Sequence, residues 1–241
     1  MLESRLYAIL DADACRARGL DLLAVGDALC DAAPAMLQLR AKGRSATEVL
    51  AVLARLRSWT KDSGTLLYLN DRADLAELAG CDGVHVGQGD QAIAAVRHHF
   101  PRLRVGLSTH SEAEFDRALL DRPDYLALGP IFGTKSKQAS EPVVGLLELE
   151  RLAPRARAMQ VPLVAIGGID HVRAGAVLAH ADYVATIAAL MPEQSPGEGE
   201  EAVSRAVLER ARAFAQSLGA GGRSAMKGSQ LEQKRFEHQG R

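Results

Sequence analysis

Two aspartates stand where a metal ion could be shared. Asp71 follows the apolar run Leu66–Leu69 through Asn70, and Asp90 follows Val84–Val86 through Gly87-Gln88-Gly89. With the helix-like segment Ala73–Ala79 between them, the stretch reads as one β-α-β unit. In such a unit the strands are parallel, roughly 4.8 Å apart, with their carboxyl ends on one edge of the sheet. Both carboxylates then project into the same space and repel each other unless a cation lies between them. An all-oxygen site of this kind suits Mg²⁺, which keeps waters and takes further ligands from substrate phosphates. Asp and Asn are also common helix caps and turn residues. The pair therefore gains meaning only from what ends the other strands.

Those other ends are basic, hydroxylated or glycine-rich. One reads Gln38-Leu39-Arg40-Ala41-Lys42, where Arg40 offers a planar fork and Lys42 a point charge for phosphate oxygens. Another closes in Ser108-Thr109-His110, and a third leads through Gly129-Pro130-Ile131-Phe132-Gly133 to Thr134-Lys135-Ser136-Lys137. The last two close in Gly167-Gly168 and in Ile187-Ala188. Arg40, Lys42 and Lys137 beside a two-aspartate metal site suit a diphosphate. The glycines and following backbone amides suit a second phosphate. Plainer roles stand beside these: Lys135 and Lys137 as loop charges in solvent, His110 as a cap or structural hydrogen-bonder, and His85 as a residue packed at the rim.

Positioning all these residues on one edge requires a repeating scaffold. Eight short apolar runs recur, at Arg5–Leu10, Ala35–Arg40, Leu66–Asn70, Gly83–Gly87, Arg104–Ser108, Tyr125–Ile131, Val161–Gly168 and Asp182–Ile187. Segments with helical periodicity alternate with them and end in Glu201–Leu218. Eight such repeats predict a single (β/α)8 TIM barrel, an α/β fold whose active site lies at the carboxyl ends of the strands. An open doubly wound sheet would show a G-x-G-x-x-G turn after its first strand. Leu10-Asp11-Ala12-Asp13 is no such turn.

Length and composition fit that scaffold. The 241 residues suit one barrel domain over 1–218, followed by a Gly-rich, charged tail over 219–241 too poor in apolar residues to offset its ordering entropy. A net charge of −1 gives no electrostatic reason to expect nucleic acid or an anionic membrane as a partner. The three cysteines, Cys15, Cys30 and Cys81, are too far apart for a CxxC metal pair, and free thiols are expected. With no signal pattern and no apolar run of spanning length, the expected location is cytoplasmic.

Taken together, QLRAK at 38–42, NDR at 70–72, GVHVGQGD at 83–90, GLSTH at 106–110, GPIFGTKSK at 129–137 and AIGGI at 165–169 closely resemble the thiamine phosphate synthase family. The resemblance implies coupling of 4-amino-5-hydroxymethyl-2-methylpyrimidine diphosphate to 4-methyl-5-(2-phosphoethyl)thiazole, giving thiamine phosphate and diphosphate. It implies that Gln38, Arg40, Lys42, Asn70, Ser108 and Lys137 hold the pyrimidine diphosphate, with Leu39, Ala41 and Lys135 in the same binding segments. Lys137, Arg40 and Ser108 are the expected catalytic groups, and Asp71 and Asp90 the ligands of Mg²⁺. Thr134, Ser136, Gly168, Ile187 and Ala188 would hold the thiazole phosphate. Ala41 departs from a position that is often acidic in the family, and Ala188 from one that is often Ser. The partners implied are small molecules, with a homo-oligomer as a further expectation. The rival readings are a thiazole tautomerase on the same barrel and a non-catalytic binder of thiamine phosphates.

Overall fold

The computed structural model describes residues 4–134, 142–192 and 199–219. The chain alternates β1 (Leu6–Asp11), helices α1 (Ala12–Ala17) and α2 (Leu22–Asp31), β2 (Met36–Arg40), α3 (Ala46–Thr60), β3 (Leu66–Asn70), α4 (Ala73–Leu78), β4 (Gly83–Val86) and α5 (Ile93–His99). It continues with β5 (Arg104–Thr109), α6 (Glu112–Leu120), β6 (Tyr125–Leu128), α7 (Leu146–Ala158), β7 (Leu163–Ile166), α8 (His171–Leu178), β8 (Tyr183–Thr186), a 3₁₀ turn at Ala188–Leu190 and α9 (Glu200–Gly219). All eight strands pair in parallel and in chain order, and β1 pairs with β8 to close the barrel. The expected (β/α)8 architecture is therefore present. The tail expected after Leu218 lies, from residue 220, outside the described residues.

Local signals explain where five of the helices begin. Ser45 and Glu48 form a reciprocal capping box on α3, and Asp21, Ser111 and Asp170 each cap a helix with a side-chain oxygen. α1, absent from the sequence expectations, starts where Asp11 accepts a hydrogen bond from the Ala14 amide at 2.8 Å. β6 stops at Leu128, short of the expected Ile131, because Gly129 and Pro130 follow and proline has no N–H for the ladder. β7 stops at Ile166, short of the expected Gly168, because Gly167 and Gly168 take φ of 99° and 63°.

The amino ends of the strands carry a repeated device. Asp82, Asp124 and Asp182 precede β4, β6 and β8, and each exchanges two hydrogen bonds with one residue at the start of the preceding strand. Their backbone N–H groups donate to the carbonyls of Leu67, Val105 and Leu163, each at 2.8 Å. Their carboxylates accept from the N–H groups of the same three residues at 2.8 to 2.9 Å. Arg57 and Arg97 add ion pairs to Asp82 and Asp124, while Arg5 Nε donates to the Asp182 carbonyl. Each aspartate thus pins one strand start to the next.

Inside the barrel, large and small residues face each other in register. Tyr68 lies opposite Gly83, and Tyr125 opposite Gly106. A Cβ on Gly83 would stand 2.3 Å from the Tyr68 ring, and one on Gly106 2.0 Å from the Tyr125 ring. The missing side chains make room for three tyrosines, Tyr7, Tyr68 and Tyr125, whose ring centroids are 5.4 to 6.1 Å apart. This packed floor supports the carboxyl-end rim.

Candidate active site

The rim over β1 to β4 gathers charge. Asp11, 1% exposed, uses one oxygen to cap α1 and accepts a hydrogen bond from Arg40 on the other at 2.5 Å. A buried carboxylate needs such a partner. The pairing engages one nitrogen of the Arg40 guanidinium and leaves the rest of its donor fork for other acceptors. Next along the rim, Lys42 Nζ stands 3.1 Å from Asp71 Oδ2.

Asp71 occupies a left-handed conformation, φ 65°, and its backbone N–H donates to the His85 carbonyl at 2.8 Å. Burial raises its pKa, Lys42 works against that rise, and the neighbouring Asp90 carboxylate adds to it. The Asp90 carboxylate is itself aimed by the Gly87 amide, which donates to it at 2.7 Å. The two expected metal ligands therefore stand together at the rim, Asp71 partly buried and Asp90 exposed.

Beneath the rim runs a chain of hydrogen bonds. Gln38 Nε2 donates to the Tyr7 hydroxyl at 2.6 Å, and that hydroxyl lies 2.7 Å from the Tyr125 hydroxyl. His85 Nδ1 is 2.7 Å from the same Tyr125 hydroxyl, and His85 Nε2 is 2.8 Å from Ser108 Oγ. All five side chains are buried. Burial pushes the hydroxyl pKa values of Tyr7 and Tyr125 upward, so both hydroxyls stay protonated at neutral pH. Gln88 Nε2 donates to the Ser108 carbonyl at 2.7 Å and steadies the end of β5.

The other half of the rim encloses a cavity of about 440 Å³ between the ends of β5 to β8. Thr134, Gly168, Ile187 and Ala188 line it, together with His110, Gly167 and Asp170. The loops after β6 and β7 are zipped together: Ile131 N–H donates to the Ile166 carbonyl and Phe132 N–H to the Gly167 carbonyl. A Cβ at Gly168 would lie 2.6 Å from the Gly133 carbonyl oxygen, so glycine there first serves this contact between loops. Arg173 reaches over the Phe132 ring and donates to the Gly168 carbonyl at 2.7 Å. His110 Nδ1 lies 2.6 Å from the Gly129 carbonyl, the structural hydrogen bond expected of it.

The residues expected from sequence fall into these two neighbourhoods. Arg40, Lys42, Asp71 and Asp90 lie on the charged rim, with Asn70 ending β3 beside it, while Gln38 and Ser108 end the interior chain. Leu39 is wholly buried, which limits it to backbone contacts with a ligand, and Ala41 is partly buried beside the core. Lys135, Ser136 and Lys137 lie outside the described residues. The three thiols are buried and free, with pKa values pushed up to about 12 by burial, so they are poor nucleophiles.

Sequence reasoning missed Asp11, the tyrosine floor, the engagement of His85 in it, and Gln88. A sign of the floor was present, because Gly83 and Gly106 each hold a strand position that a β-former would normally fill.

The family described as Thiamine monophosphate synthase matches residues 6–190. Thiamine-phosphate synthase from Koribacter versatilis is 43% identical over 201 residues, covering 80% of this chain and 93% of that protein. The protein of the same name from Gloeobacter violaceus is 42% identical over 164 residues, 67% of this chain but 47% of that longer relative. Among solved structures, thiamine phosphate pyrophosphorylase from Pyrococcus furiosus superposes with a TM-score of 0.70 at 29% identity, covering 89% of this chain and 96% of that one.

Proposed function

This chain belongs to the thiamine monophosphate synthase family, transferases that make thiamine phosphate, and from that membership we propose how its rim does the chemistry. The pyrimidine diphosphate lies over β2 to β5, with Gln38 and Asn70 near its ring, Ser108 at the carbon–oxygen bond that breaks, and Arg40, Lys42 and Lys137 on its phosphates. The thiazole phosphate lies in the cavity between the ends of β5 and β8. It is held by Thr134, Ser136, the Gly168 backbone and the amides at Ile187 and Ala188. A helix-terminal or glycine-rich nest of amides needs no side chain for such contacts, so Ala188 suffices.

The observation that carries this reading is the Lys42, Asp71 and Asp90 cluster beside the Asp11-held Arg40. It gathers charge of both signs where a diphosphate would leave. Asp71 and Asp90 fit Mg²⁺ on their chemistry, because the Asp90 carboxylate makes Asp71 harder to ionise until a cation joins them. Among the described residues no group of three or more His, Cys, Asp or Glu could hold a metal alone, so the remaining ligands would be water and diphosphate oxygens. When bound, Mg²⁺ would neutralise charge on the diphosphate.

The carbon–oxygen bond to the diphosphate breaks first, leaving a cation stabilised by the pyrimidine ring, and the thiazole nitrogen captures it. Arg40, Lys42 and Lys137 stabilise the negative charge that builds on the departing oxygens. The attacking nitrogen carries no proton, so no general base is needed. A tautomerase on the same barrel would have no use for the Lys42, Asp71 and Asp90 cluster.

Phosphorylated substrates of this kind fit a cytoplasmic enzyme, and no helix among the described residues is long and apolar enough to cross a membrane. The test is to incubate the purified protein with both substrates, with Mg²⁺ and with excess chelator. Thiamine phosphate should form only with the metal. Full turnover in chelator would overturn the metal assignment, and no coupling under any condition would overturn the reaction.

A further inference from the structure

Counting hydrogens along the buried chain gives it a direction. Gln38 Nε2 donates to the Tyr7 oxygen, so the Tyr7 hydrogen is directed to Tyr125, and the Tyr125 hydrogen in turn to His85 Nδ1. A neutral imidazole that accepts at Nδ1 carries its hydrogen at Nε2, where Ser108 Oγ lies at 2.8 Å. Ser108 then accepts from His85 and retains its own hydrogen. If every link is reversed, Ser108 must donate to His85 instead and has no hydrogen left for a ligand.

We propose that Tyr7 and Tyr125 are positioning residues that hold His85 as the Nε2–H tautomer and thereby leave the Ser108 hydroxyl as a donor to the departing diphosphate. The inference rests on the reading above that Ser108 faces that substrate. The chain runs from β1 and β2 through β6 to β4 and β5, so donor direction at one wall of the barrel is set from the opposite wall. A donor whose direction is fixed before the substrate arrives needs no reorganisation as charge develops. The Gly106 vacancy beside Tyr125 and the edge-on contact of the Tyr7 and Tyr125 rings hold the relay in place. Tyr68 packs on the same rings without being one of the five links.

Two measurements test this. Nitrogen NMR of the histidine-labelled, ligand-free protein should show His85 protonated at Nε2 and bare at Nδ1. Tyr125→Phe should disturb that signature, whereas Tyr68→Phe should leave it as it is. An Nδ1–H tautomer in the unsubstituted protein, or no change in Tyr125→Phe, overturns the inference without touching the proposed reaction.

In kinetics with Mg²⁺ and both substrates, Ser108→Ala should lower kcat about 10²-fold, the scale of one lost donor. Tyr125→Phe should lower it about tenfold with little change in the KM for the pyrimidine diphosphate, a smaller loss than that of the donor itself. Because Tyr125 acts through Ser108, the double variant should be no slower than Ser108→Ala alone. Additive losses overturn the coupling. A normal kcat in Ser108→Ala overturns the assignment of Ser108 and, with it, the catalytic half of the inference. If melting shows Tyr125→Phe to be unfolded, the tautomer of His85 in the unsubstituted protein and the kcat of Ser108→Ala decide the inference by themselves.

Discussion

The two ends of this barrel use the same side chain in opposite ways. At the amino ends, Asp82, Asp124 and Asp182 each accept a backbone N–H, and the first two also meet an arginine. At the carboxyl ends, Asp71 and Asp90 stand together, with Lys42 at 3.1 Å from Asp71, whose backbone is in the left-handed region. Charge is matched at one end and under-compensated at the other. Unmatched charge belongs where a ligand completes the site, and matched charge belongs where only the fold is at stake.

Removing the carboxylates at the two ends should therefore separate activity from stability. Asp71→Asn and Asp90→Asn should each lower turnover at fixed Mg²⁺ by about 10²-fold or more, comparable to losing one charge-stabilising group. Mg²⁺ should raise the Tm of the unsubstituted protein, and either substitution should abolish that rise. Normal turnover in either variant would remove the contrast at its active end.

Lys137→Ala should lower kcat by about 10²-fold with a smaller change in either KM, because the proposed contact with the leaving group would strengthen as charge accumulates. Steady-state kinetics beside a melting curve checks this. A loss confined to KM would make Lys137 a binding residue only.

Asp82→Ala and Asp124→Ala should each cost about 1–3 kcal/mol of stability, the penalty for leaving a buried N–H without its acceptor. Their kcat should stay at the unsubstituted value at temperatures where they are folded. Denaturant melts paired with kinetics would show it, and a variant with lost turnover but full stability would contradict the division of labour.

The smallest effect is a pH dependence of stability. The pKa of Asp71 is raised in the folded protein, so ionising it disfavours the folded state. Without metal, Asp71→Asn should match the unsubstituted protein in Tm below the ordinary carboxylate pKa. It should become the more stable of the two as pH rises through that value and past the raised one. Equal Tm values across the whole range would show the rim carboxylates to be as well matched as those at the base.

The contrast between the ends also explains what could be read from sequence. Alternation of short apolar runs with helical segments revealed the barrel, and Leu66–Asn70 matches β3 residue for residue. Errors gathered where backbone conformation overrides hydrophobicity, as at Gly129-Pro130 and Gly167-Gly168, which cut β6 and β7 short. α1 escaped notice because it follows β1 without a connecting turn, with Asp11 both ending the strand and capping the helix. Charged strand ends such as Arg40, Lys42, Asp71 and Asp90 were legible because their chemistry shows in residue type. The contact of Tyr7 with Tyr125, 118 positions away, and the Asp11 to Arg40 pair depend on barrel closure and strand register, which no local pattern encodes.

Asp11 carries one further consequence. Its two oxygens belong to different systems, one ending on an amide of α1 and the other on Arg40. Fraying of α1 and loosening of Arg40 are then linked equilibria, and linkage is reciprocal. A diphosphate that immobilised Arg40 would also slow solvent exchange of the Ala14 amide, so that occupancy at the rim would be read from the protection of a six-residue helix.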